Sequence, residues 1–220
     1  MIFRVKAVVS LGAWCQTTYQ ARRFFGNTVT SPYDWLVTPF KALLTSMEDD
    51  GSKFCKHLRV VDASRPICED YGILYHHEFE RRDERAIITA SAIERCSDKL
   101  SYKYIKMIEC APTEGTLFIR LGGQAEPAFA WPYLNDTKPL QASEINTLCN
   151  IIEDKFATVS FRLLLVFFAG RTAFDMDSAI DNRVIIRELP HAADNGNWEG
   201  CDGEWDMMLN GINLDFSCVK

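Results

Sequence analysis

Several signatures that would announce a function are missing from this sequence. Its eight cysteines stand at positions 15, 55, 68, 96, 110, 149, 201 and 218. No two form a C-x-x-C pair, which argues against a zinc ribbon or a thioredoxin-type motif. No apolar run reaches the roughly 18 residues of a membrane span. The longest, FRLLLVFFAG, is interrupted by Arg162. G-x-G-x-x-G is absent, and no Walker lysine follows Gly122-Gly123, so a tight turn at a strand end explains those glycines better than a nucleotide site. H-E-x-x-H is also absent, and DMDSAIDN lacks the central glycine and final glutamate of a calcium loop. The carboxylates of Asp175, Asp177 and Asp181 therefore read as solvated, and neither a metal nor any other cofactor is expected. Nor is there an excess of basic charge. With 24 Lys and Arg against 30 Asp and Glu, the net charge is −6. Nothing global draws the chain to nucleic acid or to an anionic membrane.

What is present suits a single globular domain. The 220 residues are 47% apolar, enough for one sizeable core spanning residues 1–220. The opening MIFRVKAVVSLG carries Arg4 and Lys6 within a short apolar run and reads as a buried strand, not a secretory signal. A chain of this length needs no disulfide staples, so reduced thiols and a cytoplasmic location are expected.

The strands expected are 5–10, GTLFIRLGG, SFRLLLVFFAG and NRVIIRELP. Their continuous apolar character points to burial on both faces, the habit of parallel strands covered by helices. A helix is expected over 15–25, ending at Gly26-Asn27, with Tyr19, Ala21, Phe24 and Phe25 roughly on one side. Thr38-Pro39 marks a second helix start. One or two helices are expected over 80–108, another over 142–157 with Ser143 as N-cap, and a short one in the tail. The fold class is therefore α/β, a mostly parallel helix-flanked sheet, with residues about 50–110 as a mainly helical insertion. An α+β papain-like fold is the alternative.

The chemistry concentrates in VVSLGAWCQTTYQARRFF, where a strand becomes a helix at Cys15. Such a turn lies at the carboxyl edge of the sheet, where open α/β folds bind ligands. A helix start offers free N–H groups and a positive dipole end, which favour a thiolate and can hold an oxyanion. Gly12 lets the chain turn tightly there. The competing reading is a small apolar residue packed beneath a helix.

Three blocks carry a resemblance. They are Ser10-Leu11-Gly12-Ala13-Trp14-Cys15, Pro32-Tyr33-Asp34-Trp35 and His77-Glu78-Phe79. Together they resemble a bacterial domain family of unknown function classed as papain-like cysteine peptidases. Its blocks read Ser-Leu-Gly-x-x-Cys, Pro-Phe-Asp-Trp and His-Asp-Phe. This chain departs from them by a tyrosine in the second block and a glutamate in the third. The resemblance implies a Cys–His hydrolase or acyl transferase, with Cys15 attacking a carbonyl and His77 as base. Asp34 would orient the imidazole or, equally, bond the backbone of its own turn. N–H groups around Gly12, Trp14 and Gln16 would hold the oxyanion. The substrate would be a small molecule, peptide or glycan.

Other readings stay open. His76 points to the opposite face from His77 on a strand, and His191, directly after a strand, competes for the role of base. His57 reads as a surface residue. ERRDER together with Arg95, Lys99, Lys103 and Lys106 reads first as a solvated helix face, and second as an anion-binding face for a phosphorylated or acidic glycan. Trp14, Trp131, Trp198 and Trp205 could stack sugars or pack the core. The alternative function is a non-catalytic or glycan-modifying protein of bacterial surface-polysaccharide metabolism that binds a sugar or phosphate, with Cys15 merely structural.

Overall fold

The computed structural model describes residues 2–61, 64–75, 77–122, 140–157, 160–169, 174–175, 177–190 and 197–219. His76, His191, Trp131 and Gly123 lie outside the described residues. In chain order the elements are β1 (Phe3–Arg4), β2 (Ala7–Ser10), α1 (Cys15–Phe25), α2 (Phe40–Glu48), β3 (Leu58–Val61), β4 (Arg65–Cys68), β5 (Arg81–Arg82), β6 (Arg85–Ala86), α3 (Ala90–Cys110), β7 (Glu114–Leu121), β8 (Leu140–Gln141), α4 (Ala142–Lys155), β9 (Ser160–Phe168), β10 (Phe174–Asp175), β11 (Val184–Leu189), α5 (Asp202–Asn210) and β12 (Leu214–Asp215).

Four of these strands form the central sheet, in the order β11-β9-β7-β2, and every pair is parallel. The fold is α/β, as the continuous apolar strands predict. Side chains alternate across the sheet because strand periodicity is two. Leu117, Ile119, Leu164, Val166 and Phe168 face α1 and α5. Phe118, Leu163, Leu165 and Phe167 face α2, α3 and α4. Both faces are covered, which is why β9 reads as a near-unbroken apolar run. β2 lies at the edge, where a parallel bridge from Val29 to Val9 covers part of its open side.

Several details differ from the sequence expectation. The start of the 80–108 region is not helical. Residues 81–86 form a two-stranded hairpin whose loop residues Asp83 and Glu84 both have positive φ, 49° and 64°. That is a tight hairpin turn without the usual glycine or asparagine, so its sequence signal is weak. With β3 and β4, it means that two hairpins precede the one long helix, α3, in the region expected to be mainly helical. Ser143 is not the N-cap of α4. Gln141 holds that position, with its backbone N–H donating to Glu144, while Ser143 bonds Asp177. Tyr19 is not on the side of α1 shared by Ala21 and Phe25, which pack the sheet; it turns toward Trp198.

Candidate functional site

The turn between β2 and α1 is wound tightly at the carboxyl edge of the sheet. Gly12 and Ala13 both adopt positive φ, 72° and 83°. For alanine this conformation costs about 1–2 kcal/mol, so the surroundings must hold it. They do so through a dense set of bonds. The Gly12 N–H donates to the Ser10 hydroxyl at 3.2 Å, and the Thr17 hydroxyl donates back to the Gly12 carbonyl at 2.8 Å. The Thr38 N–H donates to the Ala13 carbonyl at 2.9 Å. Arg120, 1% exposed at the end of β7, donates to the carbonyls of Leu11 at 2.8 Å and Thr38 at 2.6 Å. One buried guanidinium thus ties the first block to Thr38, three residues beyond the second. Reciprocal backbone bonds join Val37 to Leu74, three residues before His77.

Cys15 is the first residue of α1, and its side chain is half-buried. α1 has no side-chain cap and no acidic residue in its first turn, so its positive end is not neutralised. Burial nevertheless dominates at the sulfur and pushes the thiol up to about 11; only its own backbone N–H pulls the other way. At neutral pH the free protein holds Cys15 as a thiol. Trp14 packs against Val37, Ile67 and Leu74. The Gln16 side chain is sealed inside, 1% exposed, against Gly200. Thr17 and Thr18 are buried as well, so at the helix start only Trp14 and Cys15 keep partial exposure.

Asp34 is fully buried and closes its own turn, accepting from the Ser31 N–H at 3.2 Å. It also accepts from Arg22 at 2.7 Å and from the Thr18 hydroxyl at 3.4 Å. Burial is the largest influence on its carboxyl and raises it, with Arg22 and the Ser31 amide pulling it back down. Among the described residues its hydrogen-bond partners include no imidazole.

His77 is exposed, and its imidazole is shifted below the ordinary range by desolvation and by Arg81, against the opposite pull of Glu78. Among the described residues no hydrogen bond joins Cys15 to a histidine. His57, on the surface, bonds Asp70 at 2.9 Å. Behind His77 lies a cleft of about 410 Å³ lined by Glu78, Phe79, Thr89, Arg95, Cys96 and Lys99.

Sequence reasoning did not single out Arg22 or Arg120, nor that Tyr19 and Trp35 both meet Trp198. The spacing Cys15, Tyr19, Arg22 is i, i+4, i+7, which places all three on one helix face. That pattern was available in the sequence. The position of Arg120 was not, because its partners come from distant segments.

Comparison of the chain with protein-family models, curated proteins and solved structures finds no match.

Proposed function

We propose that the protein is a cysteine-dependent hydrolase or acyl transferase in which Cys15 is the nucleophile and His77 moves the proton. The observation that carries this reading is the strained strand-to-helix turn, Gly12-Ala13, that ends on a partly buried thiol at an uncapped helix start. Turns of this kind aim a nucleophile out of the sheet edge in α/β enzymes, and stored backbone strain collects at working sites. The backbone N–H groups of Trp14 and Cys15, the partly exposed residues of the turn, would hold the oxyanion.

In the step, the Cys15 sulfur adds to a substrate carbonyl carbon while its proton passes to the imidazole. The leaving alcohol or amine takes that proton and departs, leaving a thioester. Water or a second nucleophile then cleaves the thioester. Burial keeps the thiol protonated and the shifted His77 is neutral at pH 7, so proton transfer accompanies attack and does not precede it.

The test is acylation by p-nitrophenyl acetate followed by peptide mapping. The expected result is one acetyl group, on Cys15, with nitrophenolate release abolished in Cys15→Ser and slowed in His77→Ala. Acetyl spread evenly over the exposed cysteines 110, 201 and 218, with Cys15 unmodified, would overturn the reading.

A second reading rests on a different observation. The thiol lies well above neutrality and is hydrogen-bonded to no histidine among the described residues. This favours a non-catalytic or glycan-modifying protein that binds a sugar or phosphate ligand, with Cys15 structural. Retained ligand binding in Cys15→Ala, together with no acylation in the native protein, would support it.

A further inference from the structure

The outer face of α1 carries more than a thiol. Cys15, Tyr19 and Arg22 follow one another along it. The turn from Asn197 to Gly200, closed by the Gly200 N–H donating to the Asn197 carbonyl at 3.2 Å, holds Trp198 against this face. Two bonds from Gln20 fix the turn to the helix. Its side-chain amide donates to the Glu199 carbonyl at 2.7 Å and to Asp202 at 2.8 Å. Trp198 meets Tyr19 edge to face at 5.4 Å and Trp35 edge to face at 6.4 Å. With both contacts made, Trp198 stays 49% exposed. An indole that is anchored, surrounded by aromatic rings and still half open to water is a poor core residue and a good platform.

One guanidinium stands directly beside the platform. The Arg22 guanidinium lies over the Trp35 ring at 5.7 Å, and its side chain is 40% exposed. One of its five N–H groups goes to Asp34, which is buried beneath it. Lys103 from α3 is half-buried and acts electrostatically on both Asp34 and Arg22. It makes no hydrogen bond or ion pair among the described residues. Lys99 is already paired with Glu78 at 2.8 Å. Counting Arg22, Lys99 and Lys103 against Asp34 and Glu78 leaves one positive charge in excess on the α3 side; on the side of the turn, Arg23 pairs with Asp202 and Asp206, and Glu199 adjoins Trp198. Three aromatic rings alone would also suit a quaternary ammonium, but Arg22 beside Trp35 repels one.

We infer that Tyr19, Trp35, Trp198 and Arg22 form a binding site for a pyranose ring carrying a carboxylate, a hexuronate-type residue of an acidic glycan. The apolar face of the sugar lies on the indole of Trp198. Its carboxylate takes the outward N–H groups of Arg22, for which the planar guanidinium is the suited donor. Lys103 raises the local potential that selects the acid over the neutral sugar. The inference names the substrate class for the site beside Cys15 and rests on the hydrolase reading only for what is then done to the ligand. Binding itself needs no thiol.

The experiment therefore uses the full chain carrying Cys15→Ala. Glucuronate, galacturonate, glucose, galactose and inorganic phosphate are each titrated against it, followed by tryptophan fluorescence and by ligand-observed saturation-transfer NMR. A uronate should quench saturably and bind about tenfold more tightly than the matching neutral sugar, the scale of one charge-assisted contact. In the same background Trp198→Ala should lose the NMR signal, and Trp198→Phe should keep part of it; circular dichroism confirms that both are folded. Lys103→Met should narrow the difference between acid and neutral sugar. Equal binding of acidic and neutral sugars, full competition by phosphate alone, or undiminished binding to Trp198→Ala would overturn the inference. None of these outcomes depends on acylation of Cys15, so its failure and that of the hydrolase reading are separable.

Discussion

Gly12 and Tyr33 press so closely together that the second sequence block serves as the floor of the first. A Cβ placed on Gly12 would stand 2.8 Å from the Tyr33 carbonyl oxygen and 3.1 Å from the Tyr33 Cβ. Gly12 also has φ of 72°. Both facts exclude a side chain. Gly12→Ala should therefore destabilise the fold by about 1–3 kcal/mol. Urea titration measures this, and a change below about 0.5 kcal/mol would show that the contact yields easily.

Arg22 and Asp34 form an ion pair with one end buried and one end partly in water, 0% and 40% exposed. Removing the outer member leaves a buried carboxylate without its cation. The exposure of Arg22 reduces the effect from that of a fully buried pair, so Arg22→Ala should cost about 1–3 kcal/mol at neutral pH. The pH dependence has a definite sign. Asp34 is already raised by burial, and without Arg22 its folded value rises further. The folded variant then holds the proton more tightly than the unfolded chain does. Its deficit against the native protein is largest above the folded value and shrinks as pH falls through it. Denaturation curves for both proteins between about pH 4 and pH 8 check this, and a deficit independent of pH would contradict it.

Arg120 is the strut between the first block and Thr38. Replacing it with methionine keeps much of its volume over Phe40, where the guanidinium now sits 5.4 Å from the ring centre, but strips two buried carbonyls of their donor. A loss of about 2–4 kcal/mol is expected. Arg120→Lys should recover only part of it, because one ammonium cannot match a fork spanning Leu11 and Thr38. Full rescue by lysine would mean that charge alone suffices.

Cys15 should alkylate as an ordinary, slightly hindered thiol in the free protein. With its thiol at about 11, the iodoacetamide rate should climb about tenfold per pH unit with no plateau below pH 10. A plateau near neutrality would reveal a thiolate paired with a cation. The same shift couples to stability. The folded chain holds this proton above the ordinary thiol value of 9.0, so Cys15 adds stability that is complete below about pH 9 and is lost as pH climbs toward 11. Cys15→Ala should remove that share of the alkaline loss.

The framework of the molecule was readable locally. β9 reads as a buried strand because its run from Leu163 to Phe168, LLLVFF, leaves no polar face. α1 reads as a helix bounded at Gly26, whose φ of 75° closes it. The hairpin at 81–86 was not readable, because Asp83 and Glu84 carry positive φ that their side chains do not advertise. The site was legible as residue types and only partly as roles. The sequence offers Asp34 as a turn-former or an orienting acid; its bond from the Ser31 N–H closes its own turn, and those from Arg22 and Thr18 tie it to α1.

What the sequence determined by itself is the strands of the central sheet, the helices around them and the position of one cysteine where a strand turns into a helix. Periodicity, proline, glycine and apolar run length act over a few neighbouring residues, and those can be read without a fold. Only the tertiary structure decided how that thiol is solvated, which carbonyls Arg120 reaches, and that Trp198 lies against Tyr19. Burial, charge pairing and ring contact depend on which distant segments share a volume, and no local pattern encodes that.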